Sequence, residues 1–93
     1  MIEELAPLAD RAEMLRDVSS ALGIYLYIRG QIRNATTPSL AQAACENVAI
    51  RCHVRCWGDM DIDFGEGYAW WNYLSELKRT ADSCFQTISG KYS

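Results

Sequence analysis

The chain has 93 residues, enough for one small domain, and 49% of them are hydrophobic while 23% are charged. This composition excludes a disordered chain, because disorder requires sparse apolar residues and a high net charge. The net charge of −3 excludes general coating of nucleic acid, since phosphate neutralisation needs a surplus of Lys and Arg on one surface. We therefore expect a single folded domain over residues 1–93 that binds no nucleic acid.

The sequence predicts neither a secretory signal nor a membrane-spanning segment. Residues 1–4 are acidic and lack the basic segment of a secretory signal. The longest apolar run, residues 24–28, ends at Arg29 and is far shorter than the roughly 20 residues that span a membrane. These features predict a cytoplasmic protein without membrane contact, whose four cysteines are free thiols.

Apolar residues at i, i+3 and i+4 spacing predict a first helix over about residues 2–35. Gly23 interrupts this pattern, so the helix is either continuous or broken near Gly23. The broad apolar face is formed by Leu5, Leu8, Ala12, Leu15, Ser19, Leu22 and Leu26.

The second predicted helix begins at Pro38 with Thr37 as its N-cap and runs to about residues 57–58. It has two opposite apolar stripes, so it must be covered twice. One stripe contains the small side chains Ala41, Cys45, Val48, Ala49, Cys52 and Cys56. From the other stripe we predict self-association, as a homodimer, through Leu40, Ile50, Val54 and Trp57.

The third predicted helix begins with a capping box at Asp63 and Glu66 and ends near Ser89, with Gly90 as its C-cap. Its core stripe is the strongest periodic signal in the chain and contains Trp70, Tyr73, Leu74, Leu77, Ala81, Cys84, Phe85 and Ile88. Together the segments predict an all-α fold, a compact bundle of three long helices, or of four if the first breaks near Gly23.

Several large or charged side chains lie outside the core stripes. Phe64, Tyr68 and Trp71 fall about 100–160° from the stripe of the third helix, so they mark a partner surface or a face that the first helix covers. The like charges of Arg51 and Arg55 either pair with acids of a neighbouring helix or meet an acidic partner. The predicted partner-binding residues are Phe64, Tyr68, Trp71, Asp61, Lys78, Arg51 and Arg55.

Two patterns suggest metal binding, and both are incomplete. Asp59, Asp61 and Asp63 match the first acidic positions of a calcium-binding EF-hand loop. Phe64 and Trp70 occupy the later positions that need Gly and Glu, so we interpret the three acids as a cap of the following helix. Cys52 and Cys56 have the spacing of a zinc clamp to which Cys84 could add a third ligand, but no fourth ligand is found. Free thiols are the favoured interpretation, and a zinc-stabilised helical domain is the alternative.

The sequence does not predict an enzyme. His53 is the only histidine, no carboxylate pair converges, and no phosphate-binding glycine motif is present. We therefore predict a non-enzymatic protein with no cofactor.

The motif Phe64-x-x-Gly67-Tyr68-x-x-Trp71, followed by Leu74-x-x-Leu77, resembles bacterial quorum-sensing antiactivators that bind LasR-type transcription factors. The resemblance covers mainly the third helix. It implies a homodimer without enzymatic activity that docks on the ligand-binding domain of the transcription factor and blocks its dimerisation. The alternative is a phage-encoded inhibitor of a host defence complex, which could equally be a small acidic all-α protein. Either way, the expected function is to bind and inhibit or regulate a larger protein.

Overall fold

The computed structural model describes residues 2–92 as a bundle of four helices. They are α1 (Ala6–Glu13), α2 (Leu22–Asn34), α3 (Pro38–Arg51) and α4 (Ala69–Tyr92). Single 3₁₀ turns occur at Glu3–Leu5, Ser19–Ala21 and Trp57–Asp59. No strand occurs among the described residues, so the predicted all-α fold is confirmed. Only α4 is long: at about 1.5 Å per residue it spans most of the 41 Å length of the molecule.

The first predicted helix is divided into α1 and α2, and the break lies before Gly23, which is inside α2. The separating residues 14–21 include Asp17, Val18, Ser19 and Ser20, whose side chains disfavour helix by β-branching or by competing for backbone hydrogen bonds. The break allows the chain to reverse, so that α1 and α2 pack against each other.

All four helices contribute to one core, within which α3 and α4 form the most extensive contact. The predicted stripe of α4 is buried, apart from Phe85, which is half-buried. The small side chains Ala41, Cys45 and Val48 face it from α3 and are also buried, which lets the two helices approach closely. The Gln42 amide donates to the Ser89 hydroxyl at 2.9 Å, so the start of α3 meets the end of α4 and the helices are antiparallel.

The predicted end of α3 at residues 57–58 is wrong, because the helix stops at Arg51. The carbonyl of His53 accepts hydrogen bonds from the backbone N–H groups of Cys56 and Gly58, at 3.0 and 3.1 Å. The His53 Nδ1 atom accepts another from the backbone N–H of Arg55, at 3.1 Å. These local bonds replace helical ones and turn the chain toward the core.

The predicted capping box is also wrong, because α4 begins at Ala69. The backbone N–H of Asp63 instead donates to the Ser20 hydroxyl at 2.9 Å, which ties the connection to the α1–α2 break. Gly65 and Gly67 follow with φ values of +130° and +63°, which are incompatible with a right-handed helix. Helix geometry can therefore begin only after these two glycines.

At its other end, α4 continues through Gly90, which was predicted as its C-cap, to Tyr92. The added turn is held by Glu4, which accepts from the Lys91 ammonium at 3.1 Å and from the Tyr92 hydroxyl at 2.9 Å. The hydrogen bonds from Tyr92 and Lys91 lower the pKa of Glu4. No helix within residues 2–92 is long and apolar enough to cross a membrane.

Candidate protein-binding surface

A surface groove of about 650 Å³ lies where the turn after α3 meets α4. Its lining is mostly apolar, and basic groups stand among the apolar ones. We call it the α3 groove and define it by its lining residues: Ala49, Ile50, Cys52, His53, Val54, Arg55, Cys56 and Lys78. It contains two of the four residues predicted for self-association.

Ile50 and Val54 are left exposed in this groove, at 70% and 51%. Complete burial of such a side chain stabilises a protein by about 1.5–3 kcal/mol, and much of that gain is still available to a binding partner. Leu40 is also exposed, but it lies ten residues before Ile50, about 15 Å away along the helix axis. Leu40 therefore lies at the opposite end of α3, outside the groove. Self-association itself stays a prediction.

Trp57, the fourth residue predicted for self-association, does not lie on this surface. It is 6% exposed and its ring meets the Tyr27 ring edge to face at 5.7 Å. Its carbonyl accepts a hydrogen bond from Trp70 Nε1 at 3.0 Å. The predicted exposure of Trp57 is wrong because α3 ends at Arg51, and the following turn directs the indole into the core.

The three residues of the predicted aromatic face, Phe64, Tyr68 and Trp71, do not share one surface in the structure. Phe64 precedes α4 and turns inward, where its ring centroid lies 4.9 Å from that of Tyr73 and 5.7 Å from that of Trp70. Tyr68 and Trp71 remain exposed, at 78% and 43%. Asp61 is exposed in the connection before α4.

Trp71 lies beside the turn that forms the α3 groove. Its ring packs against Gly58 so closely that a Cβ atom there would be 3.3 Å from the ring and 3.1 Å from the His53 carbonyl oxygen. Only a residue without a side chain allows this approach without displacement of the backbone. The exposed apolar side chains of Ile50, Val54 and Trp71 are therefore gathered around one turn.

The charges around the groove are unevenly distributed. Arg55 forms no ion pair with any residue from 2 to 92, whereas the Lys78 ammonium lies 3.0 Å from the Asp82 carboxylate. Glu46 lines a depression that continues from the groove past Ile50, and it too is unpaired within the described residues. The apolar surface is thus acidic toward the middle of α3 and basic at its end.

Arg51 has a partner within the fold. Its guanidinium carbon lies 4.4 Å from the centroid of the Tyr27 ring, a cation–π contact, and Tyr27 in turn packs on Trp57. Neither Arg51 nor Arg55 pairs with an acid of a neighbouring helix within residues 2–92, so that predicted alternative is wrong for the described chain. Arg55 remains available to a binding partner.

The Cys52 thiol lines the groove and is held in its neutral form. The Cys52 thiol donates to the Val48 carbonyl at 3.4 Å, and burial raises the pKa of Cys52 to about 12, so the thiol is neutral at physiological pH. Cys84 lies beside Cys45 in the core, and the neighbouring Cys84 thiol and burial raise the pKa of Cys45. Within residues 2–92 no three His, Cys, Asp or Glu side chains are close enough together to hold a metal ion.

His53 is exposed at the edge of the groove and makes no hydrogen bond to a thiol among the described residues. Since its Nδ1 accepts from the Arg55 N–H, the neutral imidazole carries its hydrogen on Nε2. The groove thus offers apolar side chains and hydrogen-bond donors, which suits binding.

No protein-family model, curated protein or solved structure matches this chain.

Sequence reasoning missed the contributions of Glu46 and His53 to this region. A signal for Glu46 was present, because Glu46, Ile50 and Val54 are spaced by four residues and such residues follow one line on a helix. No comparable signal existed for His53, whose position depends on the turn after Arg51.

Proposed function

We propose that this protein is a small helical binding module that associates with itself and with a larger protein, which it inhibits or regulates. The observation that carries this proposal is the cluster of exposed apolar side chains around the turn after α3: Ile50, Val54 and Trp71. Exposed apolar clusters on a small domain mark binding surfaces for proteins. A domain of 93 residues buries a smaller fraction of its surface than a larger one, so association can remove further apolar area from water.

We assign the α3 groove to self-association and the neighbouring Tyr68 and Trp71 to the larger protein. Trp and Tyr supply much of the binding energy at protein interfaces. The Trp71 ring already packs against Gly58, and this contact reduces the conformational entropy that the ring loses when a partner covers it. Asp61, exposed in the preceding connection, would supply a charged rim.

In the form that the antiactivator resemblance implies, the larger protein is a LasR-type transcription factor. The module would cover the surface through which the ligand-binding domain of that factor dimerises. An apolar surface with exposed Trp and Tyr side chains suits this role, because dimer interfaces between proteins are rich in apolar and aromatic side chains.

Replacing Trp71 by Ala tests this form of the proposal. Titration calorimetry with the purified ligand-binding domain of a LasR-type factor is expected to show binding of the wild type. The Trp71→Ala variant should bind at least about 30-fold more weakly, the factor that corresponds to a hot spot of about 2 kcal/mol. Met14→Ala removes a side chain of similar exposure, 51%, at the end of α1 and should leave the affinity unchanged.

Two results would count against the proposal. Absence of binding by the wild type would exclude the transcription factor as the partner. Equal affinity of Trp71→Ala and the wild type would exclude Trp71 from the surface that binds it. Circular dichroism of each variant separates these outcomes from loss of the fold.

A further inference from the structure

We infer that a second copy of this chain covers the α3 groove in an antiparallel, twofold arrangement. In this arrangement the two Ile50 side chains meet near the axis, and Arg55 of each copy faces the partner's Glu46. The inference rests on the proposed self-association and adds its geometry, which the charges on the surface specify.

The charges along the α3 surface change sign around Ile50. Glu46 lies four residues before Ile50, and Arg55 lies five residues after it. Both are exposed, and neither has an ion pair within the described part of the chain. The other charges beside Ile50 have partners within the fold, since Lys78 pairs with Asp82 and Arg51 contacts the Tyr27 ring. Ile50 is thus flanked by an unpaired acid on one side and an unpaired base on the other.

A surface with this pattern is complementary to itself when one copy is turned end to end. In a twofold interface every contact occurs twice: if one residue of the first copy contacts a different residue of the second copy, the same two residues also meet with the copies exchanged. An antiparallel pair therefore forms the Glu46–Arg55 contact twice, whereas a parallel pair would place like charges together. A uniformly acidic partner would be repelled at Glu46 and a uniformly basic one at Arg55, so a second copy fits better than either.

The shape of the surface agrees with this arrangement. Ile50 stands between the α3 groove of about 650 Å³ and a smaller depression of about 190 Å³ lined by Asn47, Arg51 and Cys56. A projecting side chain beside a hollow can enter the hollow of an identical partner, as knobs enter holes between packed helices. The rim charges then fix the register and orientation of the pair, while the apolar contact supplies affinity.

The test uses charge reversal of the two rim residues. Glu46→Arg and Arg55→Glu should each weaken self-association about tenfold in low salt, because each variant places like charges together. An equimolar mixture of the two variants should recover wild-type association, since every contact in the mixed dimer again joins opposite charges. The double variant should recover it as well. Asp17→Arg, which reverses an exposed charge between α1 and α2, should associate like the wild type.

Sedimentation velocity over a range of concentrations measures each outcome. Wild-type association with no effect of the single reversals, or with no recovery in the mixture, would overturn the antiparallel geometry and leave the proposed self-association standing. A wild type that is monomeric throughout would overturn the self-association as well.

Discussion

Replacing Ile50 by Lys is expected to convert the protein to a monomer and to raise the dissociation constant of self-association at least about 100-fold. In the proposed dimer the two Ile50 side chains meet, so the substitution removes two buried apolar groups, each worth about 1.5–3 kcal/mol, and brings two ammonium groups together. The fold should be retained, because Ile50 is 70% exposed and surface substitutions change stability little. A cation in the last turn of α3 also interacts favourably with the helix dipole.

Light scattering coupled to gel filtration measures this effect, and urea unfolding monitors the fold. The matched control is Met14→Lys, which places the same cation at another exposed apolar position, at the end of α1. The control should associate like the wild type. Dimerisation of Ile50→Lys with wild-type affinity would show that the α3 groove is not the self-association surface.

Replacing Trp57 by Ala is expected to lower the free energy of unfolding by about 3–5 kcal/mol, the range observed when large aromatic side chains are removed from a core. Trp57 is buried against Tyr27, and its loss would leave a cavity beneath the Arg51–Tyr27 contact. Small domains have total stabilities of about 5–15 kcal/mol, so the variant should be close to unfolding at physiological temperature.

Urea denaturation followed by helical circular dichroism measures this change. Leu40→Ala is the control, because Leu40 lies on the same predicted stripe but is 48% exposed, and it should change the unfolding free energy by no more than about 0.5 kcal/mol. If Trp57→Ala retained wild-type stability but failed to dimerise, the burial of Trp57 in the core would be contradicted, and the original assignment to self-association would be restored.

The sequence predicted helix content and core faces well wherever a regular spacing persisted. The stripe that begins at Trp70 and continues to Ile88 is buried along α4, because a long amphipathic helix has only one way to remove its apolar face from water. Ala41, Cys45 and Val48 of the small stripe were likewise assigned to the buried face, whereas its other members, Ala49, Cys52 and Cys56, line the α3 groove. Both results depend on local periodicity, which a single sequence contains.

Helix boundaries were predicted less well, because distant contacts decide them. The end of α4 depends on Glu4, nearly the full chain length away, and the backbone of Asp63 is held by Ser20 rather than by its own helix. The sequence left open whether the first helix is continuous or broken near Gly23; the break occurs just before Gly23, in residues 14–21, which include several weak helix formers. Tertiary hydrogen bonds therefore override the local preferences at these positions.

The candidate site was predicted in part. Ile50 and Val54 were predicted to lie outside the core and are exposed, and Lys78 was correctly assigned to the surface. The role of Ile50 and Val54 in self-association stays a prediction. Trp57 and Phe64 were misplaced because each lies outside the helix whose spacing was applied to it. The role of Glu46 in the surface, and the proximity of Trp71 to the groove, required knowledge of how α3, its following turn and α4 pack together.

We expect the exposed apolar surface at the end of α3 to bind a second copy of the chain, and sedimentation equilibrium of the wild-type protein measures this association. A chain of 10.5 kDa should give twice this mass as its concentration rises from micromolar to millimolar. The apparent mass should fall back to that of one chain on dilution. A mass of 10.5 kDa across the whole range would show that the chain does not self-associate.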